Sequence, residues 1–233
     1  MERKIGIAIP TYERWEWTRR AFDQVLTDGR VLSVTIVDDH SSDECFGELQ
    51  RMEDTLIKVR LFRNDSNVDC YQNKKRAIEY SDAEWNILAD SDNIFSVNYL
   101  DRLFKIQQWE PDTIYAPAWA MPNFDYRAFS GLTITKENVS EYMNWPLGST
   151  LLNTANFFIN RNEFLKVWKG DIDPITADSM YFAFLWLESG RKINVVENLF
   201  YEHTVHPLSH YKQNAHRSGH LHMQIEQQLR NLR

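Results

Sequence analysis

From Ile5 to Asn93 the chain alternates short apolar runs with longer stretches whose apolar side chains recur at helical spacing. Ile5-Gly6-Ile7-Ala8-Ile9 is brief, apolar and stopped by Pro10, which suits a buried strand better than a helix. Trp15, Phe22, Val25 and Leu26 then share one face of a helix that Asp28-Gly29 ends. Leu32 to Val37 reads as a second strand, with Ser41 or Ser42 placed to cap a helix running to Met52. Ile57 to Phe62 gives a third strand, Tyr71 to Tyr80 a helix with Ala77 and Ile78 turned inward, and Trp85 to Ala89 a fourth strand. Strands and helices alternating in this way predict an α/β fold: a mostly parallel central sheet with right-handed crossovers, flanked by helices on both faces. Past Pro117 the pattern is less regular. It predicts a buried helix from Ser179 to Leu187 and a last strand from Ile193 to Val196. Leu221, Ile225, Leu229 and Leu232 then mark a terminal amphipathic helix that docks on its own domain or on a partner, self-association included.

Ligands of a parallel sheet bind outside the carboxyl ends of its strands. Three polar clusters fall there: Pro10-Thr11-Tyr12, Asp38-Asp39 and Asp90-Ser91-Asp92. Residues two apart on an extended backbone share a face, so Asp90 and Asp92 can reach one ligand while Ser91 points away. Two hard oxygen donors suit Mg²⁺ or Mn²⁺, above all an ion shared with substrate phosphates. A solvated Asp-Ser-Asp-Asn turn held by local hydrogen bonds is the competing account. The concentration of acids along one edge favours the ligand site.

Composition narrows the function classes. At 233 residues the chain fits a single domain with a full core, and 43% hydrophobic with 25% charged residues is ordinary for a globular protein. A formal charge of -7 argues against nucleic acid as a partner, which would need a basic patch. Cys45 and Cys70 are the only cysteines, too few for a disulfide scaffold and not at zinc-ligand spacing. The apolar run before Pro10 is too short for a signal peptide, and Met180 to Leu187 falls far short of a transmembrane span. The expectation is a cytoplasmic protein without a transmembrane segment.

Ile7-Ala8-Ile9-Pro10-Thr11-Tyr12, Val37-Asp38-Asp39-His40-Ser41-Ser42-Asp43, Asn67 and Leu88-Ala89-Asp90-Ser91-Asp92 together resemble the GT-A glycosyltransferases. The likeness is to the large inverting family that includes cellulose, chitin and hyaluronan synthases. It implies one GT-A domain over 1–233, with a Rossmann-like nucleotide-sugar-binding half at 1–116. The other half, 117–233, would bind the acceptor, carry the catalytic base and end in a helical tail. The implied partners are a nucleoside diphosphate sugar, a UDP-sugar favoured, and a glycan or other hydroxyl acceptor. Pro10, Thr11 and Tyr12 would hold the nucleotide, Tyr12 near the base, with an acid of the Asp38-Asp39 pair on base or ribose. Asn67, Lys74 and Asp90 complete that set. Asp92 would be the direct ligand of Mn²⁺ or Mg²⁺, and either His203 or His206 would contact the metal or the diphosphate. Two departures stand out: Glu13 replaces the usual Asn, and Lys74-Lys75, with Arg76 next to them, occupy the region of a common Ala-Arg-Asn. These three basic residues either serve phosphate or form a solvated helix face.

Asp178 stands where the family's acid-Asp pair places its catalytic base, with Ala177 in place of the first acid. The alternative is that Asp178 only caps the helix that follows it. Asp171 and Asp173 are weaker candidates, since neither aligns with the pattern. Trp119, Phe124, Tyr126, Phe129, Tyr142 and Trp145 suit either sugar stacking or core packing, with packing favoured for most. Leu151 to Arg161 resembles the family's segment leading into a strand and helix beneath the acceptor. His210, His216, His220 and His222 read as a mobile surface tail.

The resulting expectation is a metal-dependent inverting glycosyltransferase. A nucleotidyltransferase competes, but it wants a Gly-rich loop after the first strand, and Pro10-Thr11-Tyr12 is not one. A phosphatase of the haloacid type would carry its Asp-x-Asp on the first strand. A nucleotide-sugar-binding module with impaired catalysis stays open through Ala177 and Glu13.

Overall fold

The computed structural model of the protein describes residues 3–206 and 209–233. β1 (Ile5–Thr11) leads to α1 (Trp15–Phe22), β2 (Val31–Asp38) to α2 (Asp43–Thr55), β3 (Val59–Arg63) to α3 (Asp69–Tyr80), and β4 (Trp85–Leu88) to α4 (Val97–Lys105). Beyond them run β5 (Thr113–Met121), β6 (Phe124–Asp125), β7 (Thr133–Ile134), α5 (Val139–Tyr142), α6 (Gly148–Leu152), β8 (Phe157–Asn160), α7 (Arg161–Val167), α8 (Asp178–Glu188), β9 (Lys192–Glu202) and α9 (His210–Asn231).

The sheet order is β3-β2-β1-β4-β8-β5-β9-β7, with β6 on the flank of β5. β1 is buried along its whole length, as an apolar strand covered on both faces must be. A Cβ on Gly6 would stand 2.2 Å from Asn86 Oδ1, so a larger residue could not sit between β1 and the side chain of Asn86 on β4. The pairs β1–β2, β1–β4 and β2–β3 are parallel, and the second half of the sheet is mixed. β8 lies antiparallel to both β4 and β5, while β9 is parallel to β5. Two reversals restore the original direction, so β9 ends on the same edge as β1, β2 and β4, and β8 begins there. That edge therefore collects Thr11, Asp38, the Asp90 turn, Asn156 and His203. The expected division at 116/117 falls inside β5, so the two halves share one continuous sheet.

Helix boundaries shift in instructive ways. α1 stops at Phe22, and Val25 and Leu26 are buried in the turns that follow it. Of the two candidate serines, Ser42 caps α2, accepting from Cys45 N at 3.4 Å. Glu13, at φ 51°, turns its carboxylate onto the Ser42 hydroxyl at 2.9 Å, placing negative charge at the positive end of that helix. α8 is buried from Asp178 to Leu187, which explains its unbroken apolar sequence.

α9 is a helix of 22 residues packed on its own chain, with Ile225 and Leu229 buried and Leu221 and Leu232 against the core. Arg230 donates to the Met143 carbonyl at 3.0 Å. The apolar face expected to seek its own domain or a partner is thus covered by its own domain. His216 and His220 are exposed on α9, whereas the His210 side chain lies outside the described residues. Among the described residues, no helix is long and apolar enough to cross a membrane.

Candidate active site

One cavity of about 850 Å³ opens at the shared strand edge and takes walls from both halves of the chain. Its lining includes Pro10, Thr11, Tyr12, Asp39, Asn67, Lys74, Asp90 and Asp92; Asp178 and His203 line it as well. Tyr12 is 46% exposed, leaving its ring open to a planar partner. Asn67 holds the entry to α3 by accepting from Asp69 N at 3.1 Å.

The two adjacent acids after β2 diverge. Asp39 lines the cavity and accepts from Asn64 Nδ2 at 2.7 Å and Val68 N at 2.8 Å. Asp38 is fully buried away from it, where it accepts from Ser41 N at 3.1 Å and from the Ser41 hydroxyl, with Arg63 Nε at 3.4 Å. Asp38 thus lies off the cavity wall that Asp39 lines, because neighbouring residues on an extended backbone face opposite ways. Burial raises the pKa of both carboxyls. Both alanine variants should lose stability, since each breaks buried hydrogen bonds. Only Asp39→Ala should also lose nucleoside diphosphate affinity, by about ten- to a hundredfold, the worth of a hydrogen bond to a charged group. Titration with UDP and GDP below both melting temperatures checks this, and equal affinities in the two variants would remove Asp39 from the site.

Lys74 is the electrostatic centre. Its Nζ lies 2.6 Å from Asp178 Oδ2 and 3.3 Å from Asp90 Oδ1, with Ser179 Oγ at 3.4 Å. Burial alone would lower the ammonium pKa; Asp178 and then Asp90 outweigh it, and the pKa stands well above the ordinary lysine value. Lys74 is therefore no solvated helix-face residue, unlike Lys75, which pairs with Glu79 one turn along α3. Asp178 opens α8, and its Oδ1 accepts from Ser179 N at 2.8 Å, so it has one local backbone contact as well as its place on the cavity. Cys70 Sγ stands 3.6 Å from Asp178 Oδ2, and burial pushes that thiol's pKa far up, which keeps it protonated. Asp171 is engaged instead by the Tyr181 hydroxyl at 2.7 Å. Asp173 lines the cavity and accepts from Ile175 N at 3.0 Å.

The Asp90-Ser91-Asp92 turn is held by residues that local sequence patterns do not reveal. Asn156, in the left-handed region at φ 68°, accepts from Asp90 N at 2.8 Å and donates to Asp90 Oδ2 at 3.1 Å. Asn93 Oδ1 accepts from Thr204 N at 3.0 Å, tying the turn to the segment after β9. Asp92 Oδ2 meets His206 Nε2 and Arg14 Nη1, each at 3.0 Å. His206 is stacked on Trp17 at 5.1 Å and lines a smaller neighbouring cavity. His203 lines the main cavity but lies against Asn123, Nδ1 to Nδ2 3.1 Å, and burial lowers its pKa. Of the two histidines, His206 is the one hydrogen-bonded to Asp92.

The donor set at Asp92 fits a cation held jointly with phosphate. Among the described residues, no three His, Cys, Asp or Glu side chains converge as a complete metal cage. Mg²⁺ and Mn²⁺ at nucleotide sites need only one or two protein ligands beside phosphate oxygens and water, and a carboxylate with an imidazole at its side meets that need.

The far wall of the cavity combines aromatic and polar side chains. Phe124 and Tyr126 line it, with Tyr126 bonded to Thr154 Oγ1 at 2.8 Å, while Phe129, Tyr142 and Trp145 pack on one another. Arg127 covers the Trp119 ring at 4.3 Å. α9 contributes Arg217, His222 and Glu226 to this wall, so His222 belongs to the cavity and not to a loose tail. Its Nε2 lies 3.4 Å from Thr176 Oγ1, and Glu226 is bonded by the Ser149 hydroxyl.

The family model described as glycosyl transferase family 2 matches residues 6–169, more than half of the chain. No curated protein matches the chain in sequence. Among solved structures, the chain is similar to the mannosyltransferase PcManGT from Pyrobaculum calidifontis in complex with GDP-Man and Mn²⁺. There the TM-score is 0.69 at 14% identity, covering 95% of this chain and 63% of that one. S. aureus TarS 1-349 in complex with UDP-GlcNAc is similar at a TM-score of 0.71 and 13% identity, covering 98% of this chain and 67% of that one. The chain thus spans less than two thirds of the first of these structures, and identities this low speak for the fold alone.

Proposed function

The chain belongs to glycosyl transferase family 2, with the GT-A fold, and on that premise we propose that it moves a sugar from a nucleoside diphosphate sugar to an acceptor hydroxyl with inversion. The observation that carries this reading is the single ammonium of Lys74 between Asp90 and Asp178. It ties an acid of the Asp90 turn to the acid proposed as base, so that both stand on one cavity wall where a donor and an acceptor hydroxyl could meet. Tyr12 and Asp39 take base and ribose, and Asn67 lies on the same wall. Asp178 Oδ2 accepts the proton of the attacking hydroxyl. As that carboxylate is neutralised, Lys74 is left to Asp90 and to the negative charge on the leaving group. Asp92, with His206 beside it, holds the divalent ion, which when bound neutralises charge on the departing diphosphate as a Lewis acid. A UDP-sugar donor and a glycan acceptor are the proposed substrates, and the polar wall of α9 with Tyr126 faces the acceptor.

Incubating the protein with UDP- and GDP-sugars and Mn²⁺ tests the reading directly. Slow release of nucleoside diphosphate from a preferred donor supports an enzyme; selective binding without any turnover, alone or with glycan acceptors, would reduce it to a binding module. Asp92→Asn is expected to weaken Mn²⁺-dependent donor binding roughly tenfold or more, because a neutral amide replaces a hard anionic ligand. Calorimetric titration with and without Mn²⁺ measures this, and an undiminished metal effect would exclude Asp92 as the ligand.

A further inference from the structure

Asp92 uses one oxygen, Oδ2, for two donors: Arg14 Nη1 and His206 Nε2, both at 3.0 Å. The Arg14 and Asp92 side chains are 18% and 13% exposed, so solvent screens this ion pair only in part. Arg14 also donates from Nε to the Tyr12 carbonyl at 3.1 Å, which fixes the root of its guanidinium on the segment leaving β1. The same side chain lines the main cavity. A guanidinium cannot shed its charge. A divalent ion taking Asp92 therefore meets a permanent like charge on the same carboxylate, with which it competes for the acid's negative charge.

We propose that Arg14 is a donor-binding residue that yields Asp92 to the divalent ion and turns its guanidinium to the donor diphosphate. The proposal rests on the reading of Asp92 as the ion's ligand. The planar fork of Arg matches phosphate oxygens bidentately, and a diphosphate carries enough charge to engage both the ion and the guanidinium. Arg14 thus keeps Asp92 neutralised before the ion and donor arrive, and the exchange couples their arrival.

The exchange predicts effects of opposite sign from one substitution. Arg14→Gln removes the charge and keeps hydrogen-bonding capacity. It should tighten binding of Mn²⁺ alone by about three- to tenfold, the scale of a partly screened ion pair. It should also weaken UDP or GDP at saturating Mn²⁺ by about tenfold or more, as loss of a charged phosphate contact does. Arg14→Lys keeps the competing charge but lacks the fork, so Mn²⁺ affinity should stay near wild type while nucleotide affinity recovers only in part. The experiment titrates wild type, both Arg14 variants and Asp92→Asn with Mn²⁺ alone, following the paramagnetic signal of free Mn²⁺. UDP and GDP are then titrated by calorimetry, and melting curves confirm folding. An Arg14 that merely braces the loop would loosen both ligands when replaced. If Asp92→Asn weakens Mn²⁺ but Arg14→Gln binds it no tighter than wild type, or keeps wild-type nucleotide affinity, the exchange is wrong and the ion's site stands. If Asp92→Asn binds Mn²⁺ normally, the ion's assignment fails and the exchange fails with it.

Discussion

Asp178→Asn is expected to cut sugar transfer by about 10²- to 10⁴-fold, the contribution of a general base, while donor affinity stays within a few-fold of wild type. The amide oxygen can keep the bond from Ser179 N, while the amide nitrogen takes the place of Oδ2 against Lys74 Nζ, so the start of α8 is kept but the ion pair is lost and stability falls. What the amide cannot do is take a proton from an attacking hydroxyl. A carboxylate with only a structural role would lose stability yet keep near-normal transfer below the melting temperature, and a donor-binding carboxylate would show the change first in affinity. Steady-state transfer, donor titration and a melting curve on the same preparation separate the three. Near-normal transfer would return Asp178 to a structural role and move attention to Asp173, which also lines the cavity. Asp171 would be the weaker choice, since Tyr181 already holds it.

Legibility in the sequence followed the range of the interactions. Of the first four strands, β1 and β4 are buried throughout and β2 all but at Leu32, so their apolar runs are local and strong, and the polar clusters after β1, β2 and β4 fall on one edge because those strands are parallel. β5 was not legible: Pro117 and Trp119 interrupt its pattern, and its direction is set only by pairing with β8 and β9. The same holds for Asn156. The likeness over Leu151 to Arg161 marks its segment but not its role, which comes from the antiparallel entry of β8 bringing it to the backbone of Asp90, 66 residues away. Lys74 looked like one of three basic residues on a helix face, and only the arrival of α8 on the other side turns it into a buried bridge. Arg14 carried no signal beyond its charge, because its partner Asp92 comes from a different strand end. α9 was legible as a helix, but its contribution to the cavity depends on which surface it docks against.

Lys74→Met should be the most destabilising of these substitutions. The side chain is 8% exposed and its partners Asp178 and Asp90 are 10% and 32% exposed, so removing the ammonium leaves two carboxylates facing each other with little solvent. Breaking a buried pair by deleting one partner costs about 3 to 5 kcal/mol, and the partial exposure of Asp90 places the expected loss at the lower end, about 3 kcal/mol. A solvated lysine would change stability by no more than about 0.5 kcal/mol, so the two accounts are well separated. The pH dependence gives a second reading. In the wild type the Lys74 pKa is raised above its unfolded value, so its stabilisation is complete below about pH 10 and is lost only as pH rises through the folded value. In the variant two carboxylates face each other without a counter-charge, so the deficit should shrink as pH falls towards 5 and their repulsion weakens. Denaturant melts of both proteins at pH 5 and pH 8 measure the difference. A deficit that is the same at both values, or below 1 kcal/mol at pH 8, would show that the bridge between Asp90 and Asp178 does not organise the site.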